Sequence, residues 1–169
     1  MSPLGAVTRG LVAGAVGTAA MDLLMYSRYK RGGGEQGLVE WESAAGLDDW
    51  DEAPAPAIVG QRAVEGVFKV KLAPHWARAT NNVTHWVTGI LWGAQHGIVA
   101  GSARAPRAWH GLVLGTAAWS SSYVVLPLAK LYQPVWEYDA KTLAKDYSAH
   151  LVYGAAAGLT FRMLAPKPT

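Results

Sequence analysis

Two stretches of this chain exclude charge altogether, and they set the terms for any fold. From Ala79 to Ala103, and again from Ala108 to Ala129, there is no Asp, Glu, Lys or Arg. A helix needs about 20 mostly apolar residues to cross a bilayer, and each stretch is long enough. Two further segments resemble them. Gly10 to Ser27 is interrupted only by Asp22, and Tyr147 to Phe161 reaches a spanning length if Arg162 extends its side chain to the interface. Trp and Tyr prefer headgroup depth, and they mark the segment ends: Tyr26 and Tyr29, Trp86, Trp109 and Tyr147. The expected fold is all-α, a single membrane domain of four transmembrane helices. These lie at about 5–28, 80–101, 108–128 and 147–164, with a long first loop over about 29–79.

Eight of the twelve acids fall between Glu35 and Glu65, so the loop carries most of the negative charge. Gly32-Gly33-Gly34 opens it as a flexible break, and Asp48-Asp49-Trp50-Asp51-Glu52 is its acidic centre. After Pro54 and Pro56, the residues Ile58, Val59, Ala63, Val64, Val67 and Phe68 fall near one helical face, with Gln61, Arg62 and Glu65 opposite. Such an amphipathic helix suits a membrane surface or the side of the bundle equally well. The short link from Ser102 to Arg107, with Arg104 and Pro106, makes the second and third helices an antiparallel hairpin. Pro127 and Pro134 are expected to break the third helix into a re-entry region ending at Trp136-Glu137-Tyr138-Asp139.

The strongest packing signal is a ladder in the second helix: Gly89, Gly93, Gly97 and Gly101. A spacing of four keeps glycines on one face, where another helix backbone can approach closely. Gly10 and Gly14, Gly111 and Gly115, and Gly154 and Gly158 repeat the spacing in the other helices. Packing within the chain is the expected use; a partner protein is the other. Ile90, beside the ladder, is taken as lipid-facing.

Ionisable groups at membrane depth are costly, and so they are functional or paired. Topology puts Asp22, His85, His150 and the run from Ser120 to Ser122 at one end of the bundle, and His96 and His110 at the other. Four uses follow. Asp22 pairs with Arg28 or a Tyr hydroxyl; Asp22, His85 and His150 hold a metal ion; the histidines carry a haem; or Asp22, His85, His150 and Ser120 line a polar path. There is no cysteine, hence no thiolate chemistry or sulfur zinc site. No Gly-Lys-Ser or Gly-x-Ser-x-Gly motif occurs, and serines in spanning helices bond their own backbone. The acid spacing does not match an EF-hand. The reading is of a non-enzymatic protein with no cofactor. With a net charge of +3 and no basic run beyond Arg28-Tyr29-Lys30-Arg31, nucleic acid is not an expected partner. Membrane lipids, other membrane subunits or further copies of the chain are.

The run Val125-Leu126-Pro127-Leu128-Ala129-Lys130-Leu131-Tyr132-Gln133-Pro134-Val135-Trp136-Glu137, followed by Asp146 and His150-Leu151-Val152, resembles the YagU-like family of bacterial inner-membrane proteins. Thr84-His85, and Gly111-Leu112 with Gly115, match the same style. The likeness covers roughly the last ninety residues, and the acidic loop diverges from it. It implies an inner-membrane location, cytoplasmic termini and an association with stress phenotypes, but no catalytic role. The Ala-Gly-Trp bias is also similar to that of chains from high-GC actinobacteria.

Overall fold

The computed structural model describes residues 2–51, 53–102 and 107–166. Glu52, Arg104, Pro106 and Lys167 lie outside the described residues. Among the described residues six α-helices follow one another: α1 Pro3–Arg31, α2 Leu38–Glu42, α3 Ala55–Phe68, α4 Ala77–Ser102, α5 His110–Leu128 and α6 Ala140–Leu164. No strand occurs among the described residues. By length and composition α1 and α5 are apolar enough to cross a membrane. The helices α4 and α6 are as long but carry more polar side chains.

Local sequence accounts for the helix ends. Ser2 caps α1 by accepting from the Gly5 N–H at 3.2 Å, and Asp139 caps α6 through Thr142. At the end of α1, Gly33 takes φ +91°, a left-handed conformation suited to glycine, which turns the chain into the loop. The helix α5 runs through Pro127 to Leu128. Lys130, at φ 57°, then turns the chain while the Leu131 N–H donates to the Leu126 carbonyl at 2.9 Å. The expected re-entry region is therefore a tight turn and a 3₁₀ turn at Val135–Glu137.

Two backbone-to-backbone seams build the core. The first joins α1 and α4 in antiparallel register: Gly10 lies on Gly97, Gly14 on Gly93, and Thr18 on Gly89. Each step advances four residues along α1 and four back along α4. A Cβ at Gly14 would stand 2.7 Å from the Gly89 carbonyl oxygen, and one at Gly10 2.9 Å from the Gly97 Cα, closer than real side chains allow. The second seam joins α5 and α6, with Gly111 on Gly158 and Gly115 on Gly154. There a Cβ at Gly158 would lie 2.7 Å from the Gly111 Cα. Gly101, at the end of the ladder, is half-buried.

α1 also packs on α6, so α1 and α6 are the middle pair. Its arginines grip both ends of that partner. Arg9 donates to the Leu164 carbonyl at 2.8 Å, and Arg28 to the Lys145 carbonyl at 2.8 Å and the Ser148 hydroxyl at 2.9 Å. Gly17 lies against Tyr153 of α6, whose hydroxyl crosses to the Gly89 carbonyl of α4 at 2.6 Å. The helices α4 and α5 are antiparallel but touch only slightly, so they are not the packed hairpin that their short link suggests. Close pairing goes to the glycine faces, and these point elsewhere.

The loop helix α3 packs on α4 with its smallest residues most deeply buried. Ala57 and Gly60 are buried, with Gly60 against Thr80 and Thr84. Val67 and Phe68 remain 72% and 70% exposed. Small residues win the interface because they let two helices approach.

Burial is inverted relative to a water-soluble domain. The buried positions are chiefly Ala and Gly, with Thr18, Leu114, Tyr123, Tyr153 and Phe161. Large aliphatic residues point outward along the long helices: Val12, Val16 and Leu23; Val87, Leu91, Ile98 and Val99; Leu112, Val113 and Val124; Leu159 and Met163. Ile90 is not among them. It is half-buried, with its Cα in the seam beside Gly14.

Gly93→Leu should therefore destabilise the detergent-solubilised chain by about 1–3 kcal/mol or more, the usual cost of overpacking a tight interface. Leu91→Ile, on the outward face, should change stability by much less. Unfolding titrations of both variants check this, and a neutral Gly93→Leu would mean that the seam does not carry the fold.

Candidate functional site

The first seam does not stop at Thr18. One more step of four along α1 reaches Asp22, and one more step back along α4 reaches His85. The His85 Nε2 lies 2.9 Å from the Asp22 Oδ1, a nitrogen donating to a carboxylate. The Asp22 side chain is 7% exposed and that of His85 29%. The other carboxylate oxygen, Oδ2, is buried and has no hydrogen-bond partner. Of the partners expected for Asp22, Arg28 is turned to α6 instead.

The loop closes over this pair. Tyr26 and Tyr29 of α1 pack against Trp41 of α2, with ring centroids 5.6 and 6.2 Å away. Arg78 and Asn82 of α4 donate to the Ser43 carbonyl at 2.7 and 2.9 Å. Trp86, next to His85, donates its indole N–H to Glu42 Oε1 at 2.8 Å. Glu42 is thereby held beside Asp22. Burial and the neighbouring Asp22 carboxylate push the Glu42 carboxyl above its ordinary range, against the opposing pull of the Trp86 hydrogen bond and of His85. Sequence reasoning missed Glu42 because it sits in the acidic loop, where a solvated charge is the default. Its one signal was the adjacent Trp41, an aromatic able to dock on Tyr26 and Tyr29.

The second seam continues in the same way, from Gly115 to Trp119 and Tyr123 on α5 and from Gly154 to His150 and Asp146 on α6. His150 Nδ1 lies 3.4 Å from Asp146 Oδ1 and 3.0 Å from the Asp146 carbonyl. Tyr123, Tyr132 and Tyr138 cluster beside it, with ring centroids 5.3 to 6.2 Å apart. Burial works to raise the Asp146 carboxyl. The hydrogen bond and charge of His150, helped by the Tyr123 hydroxyl, outweigh it and hold the group below the ordinary carboxylate range. Between this node and α1 lies an open cavity of about 470 Å³. Arg28, Trp41, Tyr123, Tyr132, Tyr138, Lys145 and Asp146 line it.

Depth alone therefore grouped residues that the helices separate. Asp22 and His85 meet across one seam, while His150 pairs with Asp146 across from the other. Among the described residues no three His, Asp or Glu side chains converge at metal-binding spacing, so Asp22, His85 and His150 are not one ligand set. Ser120 is exposed, and Ser121 and Ser122 return their hydroxyls to the Ala118 carbonyl. At the far end His96 is buried edge-on to Phe161 at 5.4 Å, and His110 packs on Trp109 at 4.4 Å. No family model, curated protein or solved structure matches the chain.

The depressed Asp146 carboxyl makes a signed prediction. A carboxyl whose folded-state pKa is lowered contributes stability that is present above its unfolded value and lost as pH falls through the folded one. Asp146→Asn should thus lower the unfolding midpoint at neutral pH. The difference from the parent chain should shrink on acidification below the ordinary carboxylate range. Thermal melts across that window check it; a difference independent of pH would mean that the charge of Asp146 is not what holds the node.

Proposed function

We propose that the chain is a multi-pass protein of a bacterial inner membrane, with all four long helices spanning it and both termini cytoplasmic. In this reading it is a YagU-like, non-enzymatic membrane component, working as an accessory subunit or a self-associating bundle. The observation that carries the proposal is the inverted burial: Ala and Gly inside, and Val, Leu and Ile outside along α1, α4, α5 and α6. Water would not tolerate so wide an apolar exterior on a monomer, whereas lipid tails are as apolar as leucine. A second support is the span between the arginines of α1. Arg9 and Arg28 are nineteen positions apart (28 minus 9). At about 1.5 Å per residue that is roughly 28 Å, near the ~30 Å thickness of the hydrocarbon core.

With both glycine seams closed inside the chain, a partner subunit would meet the outward Val and Leu faces, not the ladders. A second reading, a small transporter or channel, is favoured by one observation. Asp22 lies within a proposed span and keeps an unpartnered carboxylate oxygen, the kind of group found along ion and proton paths.

Topology tests the membrane proposal directly, because the chain has no cysteine of its own. Single cysteines at Gly66, in open space on α3, and at the exposed Arg107 should behave oppositely in intact cells. Gly66→Cys should react with an impermeant reagent from outside and Arg107→Cys only after lysis. The reverse pattern overturns the orientation, labelling of both overturns the even number of spans, and release of the chain by alkaline carbonate overturns membrane insertion.

A further inference from the structure

Among the described residues Asp22 Oδ2 is one of three buried side-chain polar atoms without a hydrogen-bond partner, and it alone belongs to a carboxylate. A buried carboxylate oxygen without a donor is costly, and its side chain is 7% exposed. The groups that could serve it can be followed element by element. From α4 comes His85, already spent on Oδ1. On α1 itself Arg28 is committed to Lys145 and Ser148 of α6. From α6, Asp146 and His150 satisfy each other. From α2 comes only Glu42, within hydrogen-bonding reach of Asp22 but, when ionised, another acceptor.

We propose that Asp22, Glu42 and His85 form a proton-binding site covered by α2, in which a proton held on the Glu42 carboxyl is donated to the unpartnered Asp22 Oδ2. The charge count favours it. With both acids ionised and His85 an imidazolium, the cluster carries a net charge of −1; one more proton makes it neutral, which is what a low-dielectric site prefers. That proton also supplies the missing donor to Oδ2. The site is defined by binding and stands whether or not the chain moves anything across a membrane.

Proton occupancy is tied to the docking of α2. The five-residue helix has few anchors: Trp41 on Tyr26 and Tyr29, Ser43 on Arg78 and Asn82, and Glu42 on Trp86. Loss of that proton sets two carboxylates against each other beneath it. A Glu42 carboxyl that holds its proton more tightly than a free one does favours the docked form at acid pH. Docking weakens as pH rises from the ordinary carboxylate range through the raised one.

Infrared spectroscopy of the purified chain in detergent reads the proton itself. The parent protein should show a protonated-carboxyl band just above the ordinary carboxylate range that bleaches on alkalinisation and is unaffected by sodium at constant pH. Glu42→Gln and Asp22→Asn should each abolish it. Glu42→Gln decides the matter alone if Asp22→Asn does not fold, because Glu42 is a half-buried residue on a mostly exposed loop helix. Amide exchange over residues 38–42, corrected for intrinsic rate, should speed up with pH in the parent and lose that dependence in Glu42→Gln. No band above the ordinary carboxylate range, a band that survives Glu42→Gln, or one displaced by sodium would each overturn the proposal.

Discussion

The approach of α1 to α4 at glycine-to-glycine distance is the constraint from which the rest of the structure follows. Two helices whose backbones touch have almost no freedom to slide, because any shift sets a Cβ against a carbonyl. Gly14 on Gly93 therefore fixes the register of everything else on those two helices. It brings Asp22 to His85 without any specific attraction between them being needed. It also presents the Gly89 carbonyl at a distance that Tyr153 of α6 can reach, which ties the third helix to the first two. In lipid, where no hydrophobic drive pulls helices together, dispersion contacts of this kind and interhelical hydrogen bonds are the available cohesive forces.

Such a core leaves a particular surface. Because small residues are used up at the contacts, large aliphatic ones have nowhere to go but outward, and they do so on all four long helices. The same logic explains α3. Its expected apolar face runs from Ile58 to Phe68, yet the buried positions are Ala57 and Gly60, and Val67 and Phe68 project. Close packing in this chain is decided by what is absent from the side chain.

Much of this was legible in the sequence, and the part that was not has a definable cause. Charge-free length and spacing by four gave the long helices and the residues at their contacts, since both follow from local geometry. Which ladder meets which was not legible, because Gly10, Gly93, Gly111 and Gly154 look alike one at a time. The pairing of His150 with Asp146, four residues earlier on the same helix, was obscured by considering depth without helix adjacency. Continuing each antiparallel ladder by steps of four would have predicted both polar nodes. Glu42 lay beyond reach, since a five-residue helix has no period to detect and its place depends on Trp86 and Tyr26, each far from it in the chain.

The polar chemistry sits at one end because of how the seams change along their length. On the α1–α4 seam the contacting residues grow from glycine to threonine to aspartate and histidine. On the α5–α6 seam they grow from glycine to tryptophan and tyrosine. At the opposite end α1 keeps Ala6 against Gly97, too close for a side chain to enter. The polar end is where the open cavity of about 470 Å³ lies. It is also where the loop sets Trp41 and Glu42 against α1 and α4. A glycine end and a polar end make the bundle asymmetric along its axis. The acidic nodes Asp22–His85 and Asp146–His150 lie on the side of the loop, while the glycine contacts keep the register of Asp22 and His85 fixed.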